Sequence, residues 1–252
     1  MLKRRIIPIE LFDGQRLIKT VGFEGARDVG DPVKSSTVYS DQDADELLFL
    51  NVHRDHPAID ATAEVVRRIA SVCFVPLTVG GGVRSAADAE ALFRAGADKI
   101  VVNSVAYRAP SVVRAISETM GRQAVVVAID VRRQPDGQYV LLSGCGRAAE
   151  TVSLVEHLES VTAHGAGEIF LQSVDRDGTM TGYELDLLRI VLPLVRVPVI
   201  IAGGAGGFPH LEEAFLAGAD AAACGSLFNF GDNNPLRAKA YLKNRGIPLK
   251  RV

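Results

Sequence analysis

The sequence repeats itself, and this repeat limits the fold more than any other feature. A shift of 122 positions aligns VPLTVGGGV at 75–83 with VPVIIAGGA at 197–205, and the AGAD run at 95–98 with the AGAD run at 217–220. The same shift aligns Glu46 with Glu168. Large residues match as well as small ones, so shared alanine and glycine content explains the repeat poorly. We therefore expect a chain built from two similar halves.

Each half contains four short apolar runs that are rich in β-branched residues and end near a glycine or an aspartate. Such runs are typical of buried parallel strands. We predict eight strands, at 4–11, 46–52, 76–81, 99–104, 124–130, 168–174, 198–204 and 220–226. Amphipathic helices are expected between them, among others at 57–71, 85–95, 150–164 and 234–245. Ser85, with Asp88 three residues later, resembles a capping box.

Eight strands that alternate with helices over 252 residues predict an α/β protein with a single (β/α)8 TIM barrel. The barrel would span residues 1–252, with half-barrels at about 1–122 and 123–252. A doubly wound open sheet is the alternative, but no GxGxxG motif follows the first strand.

Composition argues against several classes of protein. The net charge is −2, with acidic and basic residues interspersed, so nothing indicates a nucleic-acid partner. The three cysteines have no metal-like spacing and fit a reducing compartment. No stretch reaches the roughly 18 apolar residues of a membrane span, and the N-terminus lacks a signal sequence. A soluble cytoplasmic protein without a metal or cofactor is expected.

Glycine-rich segments follow corresponding strands in the two halves and predict two phosphate sites. Gly80-Gly81-Gly82 is paired with Asn103-Ser104, and Gly203-Gly204 with Gly225-Ser226. Glycines let backbone N–H groups approach an anion, and a small hydroxyl residue at the next helix start adds a donor. One such pair would be explained more simply as a tight turn. Two symmetric copies favour a substrate with two phosphates or a diphosphate.

Several distinctive segments are spread along nearly the whole chain: FEGARDVGDP at 23–32, TVGGGV at 78–83, AGADKIVVNS at 95–104, DRDGTMTGY at 175–183 and AGGAG at 202–206. They resemble the cyclase subunit family of imidazole glycerol phosphate synthase. In that family the cyclase subunit receives ammonia through its barrel from a separate glutaminase. It uses the ammonia to cut a bisphosphorylated substrate and close an imidazole ring. The resemblance therefore implies a heterodimer with a glutaminase subunit.

The resemblance also implies roles for individual residues. The ring of charges at which ammonia enters the barrel corresponds to Arg5, Glu46, Lys99 and Glu168, and the contact that docks the glutaminase to Asp98. The phosphate-binding positions correspond to Gly82, Asn103, Ser104, Asp177, Gly178, Gly204 and Ser226. A flexible lid after the first strand would carry Lys19, a catalytic residue, together with Phe23, Arg27, Gly30, Asp31 and Pro32. For the charged ring, a purely structural layer of ion pairs is the alternative.

The family's ring closure relies on two aspartates, and this chain keeps one of them. Asp130 is present and is expected to act as a general acid or base, with a helix cap as the alternative. The other aspartate falls on Leu11, which cannot transfer a proton. Glu10 should face the helices because side chains alternate along a strand, unless the chain slips by one residue. His53 and His56, after the second strand, could join the site.

Leu11, followed by Lys19-Thr20, resembles a paralogous branch found with surface-polysaccharide genes. Members of that branch work with a glutaminase homologue and a third protein to build an acetamidino group on an amino sugar. The leading expectation is therefore an ammonia-using synthase subunit of that branch. One alternative is a true imidazole glycerol phosphate synthase subunit in histidine biosynthesis. The other is a non-catalytic, phosphate-binding barrel.

Overall fold

The computed structural model describes residues 3–53 and 59–249. Its strands are β1 (Arg5–Phe12), β2 (Leu17–Val21), β3 (Glu24–Gly30), β4 (Leu47–Asn51), β5 (Leu77–Gly80), β6 (Lys99–Val102), β7 (Val125–Arg133), β8 (Tyr139–Ser143), β9 (Ala148–Ala149), β10 (Glu168–Ser173), β11 (Val199–Ala202) and β12 (Ala221–Cys224). Its helices are α1 (Pro32–Asp41), α2 (Ile59–Ala70), α3 (Ala86–Arg94), α4 (Ser104–Arg108), α5 (Ser111–Met120), α6 (Leu154–Ala163), α7 (Leu185–Val191), α8 (Phe208–Leu216), α9 (Ser226–Asn229) and α10 (Pro235–Asn244).

Eight parallel strands close into a barrel in the order β1, β4, β5, β6, β7, β10, β11 and β12. The ring closes where β12 pairs with β1, for example at Ala221 and Arg5. These are the eight predicted strands, so the (β/α)8 barrel is confirmed and the open-sheet alternative is wrong. The boundary between half-barrels near residue 122 stays a prediction.

Two apolar layers result because successive side chains of a strand point to opposite faces. Ile7, Val126 and Phe170 fill the barrel interior. Ile6 and Val127 face outward and pack beneath the surrounding helices. Neighbouring residues of one strand are therefore both buried, which is why the strands read as continuous apolar runs.

Capping residues determine where two of the predicted helices begin. Ser85 accepts a hydrogen bond from the Asp88 N–H at 3.2 Å, and the Asp88 carboxylate accepts one from the Ser85 N–H at 2.9 Å, which confirms the capping box. The helix predicted at 150–164 begins later, at Leu154, because Ser153 forms a second capping box with Glu156. Within the described ranges, no helix is long and apolar enough to cross a bilayer.

The segment after β1 is a β-hairpin and not an irregular loop, and its expected role as a flexible lid stays a prediction. Strands β2 and β3 meet at a turn in which Gly22 and Phe23 have φ angles of 61° and 67°. The shift of 122 positions brings this hairpin onto the β8–β9 hairpin, whose turn residues Gly144 and Cys145 have φ angles of 60° and 58°. Two consecutive positive φ angles are what tight hairpin turns require. The internal repeat therefore includes both hairpins.

Exchanging Gly203, which follows β11, for alanine should destabilise the fold more than the same change at Gly25. Both glycines have positive φ angles, 86° and 65°, so alanine would be strained by about 1 kcal/mol at either position. A Cβ at Gly203 would also lie 2.5 Å from the Ser173 carbonyl oxygen, whereas one at Gly25 would meet nothing within 4 Å. Free energies of unfolding from urea denaturation should show the difference, and equal losses would contradict it.

Candidate functional site

The carboxyl-terminal ends of the barrel strands open into a cavity of about 1020 Å³. Its lining includes Leu11, Asn103, Asp130 and Gln172, which come from four different parts of the barrel rim. A second, smaller pocket adjoins it and shares Leu11 and Gln172. This rim is where (β/α)8 barrels carry their active sites.

The first glycine run and its partner residues lie together on the large cavity; we call this group cradle 1. Its members are Gly81, Gly82, Asn103 and Ser104. Gly81 and Gly82 have φ angles of 96° and 77°, which favour glycine. A Cβ at Gly81 would overlap the Asn51 carbonyl oxygen, so the close packing of backbone on backbone requires glycine there.

The smaller pocket is lined by Gly203, Gly204 and Ser226, the counterparts of Gly81, Gly82 and Ser104. Together with Asp177 and Gly178, which line the same pocket, they form the group that we call cradle 2. Gly203 and Gly204 repeat the positive φ angles of cradle 1, at 86° and 106°. The structure thus brings all seven predicted phosphate-binding residues to the same rim, in two groups that adjoin one cavity system.

Asp177 ties the β2–β3 hairpin to cradle 2. Its carboxylate accepts hydrogen bonds from the Thr20 hydroxyl at 2.8 Å, the Phe23 N–H at 3.3 Å and the Gln172 amide at 3.3 Å. Burial raises the pKa of Asp177, although the donors Thr20 and Phe23 and the nearby Lys19 act in the opposite direction. The hairpin is therefore held over the pocket by this carboxylate.

Lys19 projects from β2 into the smaller pocket and is 5% exposed. Its ammonium donates a hydrogen bond to the Ile9 carbonyl oxygen. Burial lowers the pKa of Lys19 to about 8, against the opposing effects of Glu10, Asp177 and Cys224. The group still carries a proton at neutral pH, but releases it more readily than an ordinary lysine.

Asp130 lies within β7 and lines the large cavity, so the helix-cap alternative is wrong. The Asn103 amide donates a hydrogen bond to its carboxylate at 3.2 Å. Burial raises the pKa of Asp130 to about 7, and the negative charge of Asp177 contributes further. A carboxyl group that is partly protonated near neutral pH can both donate and accept a proton.

Leu11 is the counterpart of Asp130 in the first half-barrel. Leu11 pairs with Leu50, and Asp130 pairs with Gln172. Leu50 and Gln172 correspond under the shift of 122 positions, so their partners occupy equivalent places on the rim. The leucine therefore lines both pockets at the position that mirrors the carboxylate.

Glu10 faces away from the cavity, as alternation along β1 predicts. Its carboxylate accepts a hydrogen bond from the Ser36 hydroxyl of α1 at 2.8 Å, and its side chain is 2% exposed. Burial raises the pKa of Glu10 to about 7 although Ser35 and Ser36 stabilise the charged form. Glu10 does not replace the missing aspartate, so the alternative of a one-residue slip is wrong.

Four charged side chains form a closed ring at the opposite end of the barrel, as predicted; we call it the charged ring. Arg5 binds Glu46 at 2.6 Å and Glu168 at 2.8 Å, and Lys99 binds both glutamates at 2.8 Å. The Thr78 hydroxyl donates a further bond to Glu46 at 2.6 Å. Burial acts to raise the pKa of Glu46, but the two cations outweigh it and the net shift is downward.

Asp98 lies next to the charged ring and has a structural partner. Its carboxylate accepts a hydrogen bond from the Leu77 N–H at 2.8 Å. Asp220, its counterpart in the second half, accepts one from the Val199 N–H at 3.0 Å. Both aspartates thus cap the first N–H of a neighbouring strand. The predicted docking role of Asp98 stays a prediction.

The histidines do not form a metal centre with described neighbours. His53 lines the large cavity, whereas His56 falls outside the described residues. Within 3–53 and 59–249, no group of three or more His, Cys, Asp or Glu residues is placed to hold a metal ion.

Sequence reasoning missed three arginines that line the large cavity: Arg84, Arg108 and Arg147. Only the position of Arg84, just after the first glycine run, gave any signal.

Comparisons with known proteins agree with this arrangement. A family model described as "Histidine biosynthesis protein" matches residues 5–234. The chain is 44% identical over 246 residues to imidazole glycerol phosphate synthase subunit HisF of Streptomyces coelicolor. It is 42% identical to the subunit of the same name from Streptomyces griseus and 43% to that from Streptomyces avermitilis. Each alignment covers 98% of this chain and 98% of the relative.

These names do not support the expected role in surface-polysaccharide synthesis, and they agree better with the histidine-biosynthesis alternative. With a match along almost its full length, the chain belongs to the family of imidazole glycerol phosphate synthase cyclase subunits and is an enzyme.

Proposed function

We propose that this chain is the cyclase subunit of an imidazole glycerol phosphate synthase that acts in histidine biosynthesis. The observation that carries the proposal is the placement of two glycine cradles around a cavity system that holds Asp130. A substrate with a phosphate at each end could occupy both cradles at once. Its central atoms would then lie over the middle of the rim, within reach of Asp130.

Each cradle supports phosphate binding through the same physical means. The positive-φ glycines allow backbone to approach an anion without a Cβ in the way. Ser104 and Ser226 add hydroxyl groups in equivalent positions. Binding at two points would fix the substrate's orientation before any bond changes.

Asp130 suits proton transfer during ring closure. Its pKa of about 7 leaves both protonation states populated at neutral pH, which is the condition for an efficient acid or base. Lys19, with a pKa of about 8, is suited to be a second proton-transfer group in the smaller pocket.

The charged ring is proposed as the inlet for ammonia from a glutaminase partner, with which the chain forms a heterodimer docked near Asp98. Beyond the ring, the barrel interior is lined by apolar side chains such as Ile7, Leu48 and Phe170. Neutral ammonia can cross such a lining, whereas ammonium would lose its hydration at a large cost. An ion-pair layer with only a structural role remains the alternative.

Leu11 favours a second candidate function. With leucine mirroring Asp130, the rim has only one of the two catalytic carboxylates that the family resemblance implies. The second candidate is a related synthase subunit that passes ammonia to a phosphorylated or nucleotide-activated amino sugar, without closing an imidazole ring.

Substrate turnover separates the two candidates. Given ammonium chloride and the bisphosphorylated substrate of imidazole glycerol phosphate synthase, the purified chain should form the imidazole product at roughly 1–10 per second, an ordinary enzymatic rate. Product formation followed by absorbance and chromatography provides the measurement. A chain that binds phosphate but forms no product would support the amino-sugar candidate.

Asp130→Asn should lower turnover by about 10²- to 10⁴-fold, because the amide cannot transfer the proton. Asp60→Asn, on the exposed surface of α2, is the matched control and should leave turnover unchanged. Binding of inorganic phosphate should be similar in both variants. Undiminished product formation by Asp130→Asn would show that Asp130 is not the proton-transfer group.

Lys99→Met should uncouple glutamine hydrolysis from product formation. The change removes one cation from between Glu46 and Glu168 and opens the charged ring, while the rim stays intact. We expect turnover driven by glutamine and the glutaminase to fall several-fold relative to turnover driven by ammonium chloride. In Lys99→Arg, which keeps the charge, turnover driven by glutamine should fall less. Equal losses with both nitrogen sources would indicate a purely structural ring.

A further inference from the structure

Three arginines surround cradle 1 and none of them has a role in the proposal above. Arg84, Arg108 and Arg147 line the same cavity as Gly82 and Ser104. All three are exposed, so each guanidinium can be reached from solvent. We refer to them as the arginine rim.

The arginine rim breaks the symmetry between the two halves. Under the shift of 122 positions, Arg84 corresponds to Gly206, Arg108 to Phe230 and Arg147 to Gly25. Every one of these cations is therefore matched by an uncharged residue in the other half.

Each arginine is anchored to cradle 1 by the local structure. Arg84 lies two residues after Gly82, and its backbone N–H donates to the Asp88 carboxylate at 2.8 Å. Arg108 is the last residue of the short helix α4 that Ser104 begins.

Arg147 is held through the β8–β9 hairpin. Its Nε donates to the Gly144 carbonyl oxygen at 3.0 Å, and the Gly144 N–H donates to the Ser104 hydroxyl at 2.9 Å. The hairpin thus ties this arginine to the hydroxyl group of cradle 1.

Cradle 2 has a smaller excess of positive charge around it than cradle 1. Among the described residues, Lys19 and Asp177 line the pocket of cradle 2 and carry opposite charges, whereas the cavity of cradle 1 is lined by three arginines and by two aspartates, Asp13 and Asp130. Guanidinium groups also match phosphate oxygens better than ammonium does, because they donate two parallel hydrogen bonds. Exposed cations at the mouth of a cavity further accelerate the arrival of an anion.

We propose that the arginine rim makes cradle 1 the tighter of the two phosphate sites and its three arginines substrate-binding residues. A phosphomonoester dianion at one end of the substrate would be captured here first, and the other end would then settle in cradle 2. This inference rests on the proposed function and adds to it the order in which the two cradles fill.

The test is a titration of the isotopically labelled chain with inorganic phosphate, followed by NMR. The backbone amides of Gly82 and Ser104 report on cradle 1, and those of Gly204 and Ser226 report on cradle 2. We expect cradle 1 to saturate at an at least tenfold lower phosphate concentration than cradle 2. The double variant Arg84→Ala/Arg108→Ala should weaken cradle 1 by about tenfold or more, because it removes two charge-assisted contacts, and leave cradle 2 unchanged.

Arg68→Ala is the matched control, since it removes an exposed arginine on α2 that is not part of the cavity lining. Amide shifts away from the cavity show that each variant is folded. Equal affinities of the two cradles, or a double variant that binds like the wild type, would overturn the inference and leave the proposed function standing. A wild-type chain in which neither cradle binds phosphate would overturn both.

Discussion

The pairing of β12 with β1 is the constraint on which the rest of the structure depends. It joins the last strand of the second half to the first strand of the first half, for example through Cys224 and Pro8. Because all eight strands run parallel, closing the ring brings all of their carboxyl ends to one rim and their amino ends to the other. Both cradles and Asp130 therefore share one rim, and the charged ring occupies the other. The length of the barrel therefore separates the cradles from the charged ring.

Much of this arrangement was predictable because it follows from periodicity. Strands that are buried on both faces appear in the sequence as apolar runs. Because of the internal repeat, each of these runs occurs twice, which makes the strands easier to identify. The two hairpins were not predictable, since Phe23 and Cys145 are poor markers of a left-handed turn. The arginine rim was missed for a different reason. Arg84, Arg108 and Arg147 are far apart in the sequence, and only the closed barrel brings them to one cavity.

The two halves place different side chains at equivalent positions of a common backbone. Asp130 and Leu11 occupy equivalent places, yet the first can exchange a proton and the second cannot. The two halves of the rim therefore carry different chemical groups. A symmetric scaffold can in this way bind a substrate whose two ends are similar and still treat them differently.

The two hairpins touch above the rim, and the contact is made by a residue without a side chain. A Cβ on Gly146 would lie 3.0 Å from the Phe23 ring, and the φ angle of 79° at Gly146 also disfavours any other residue. The distance between the two hairpin turns therefore depends on the absence of a Cβ at Gly146, because any side chain there would push the Phe23 ring away.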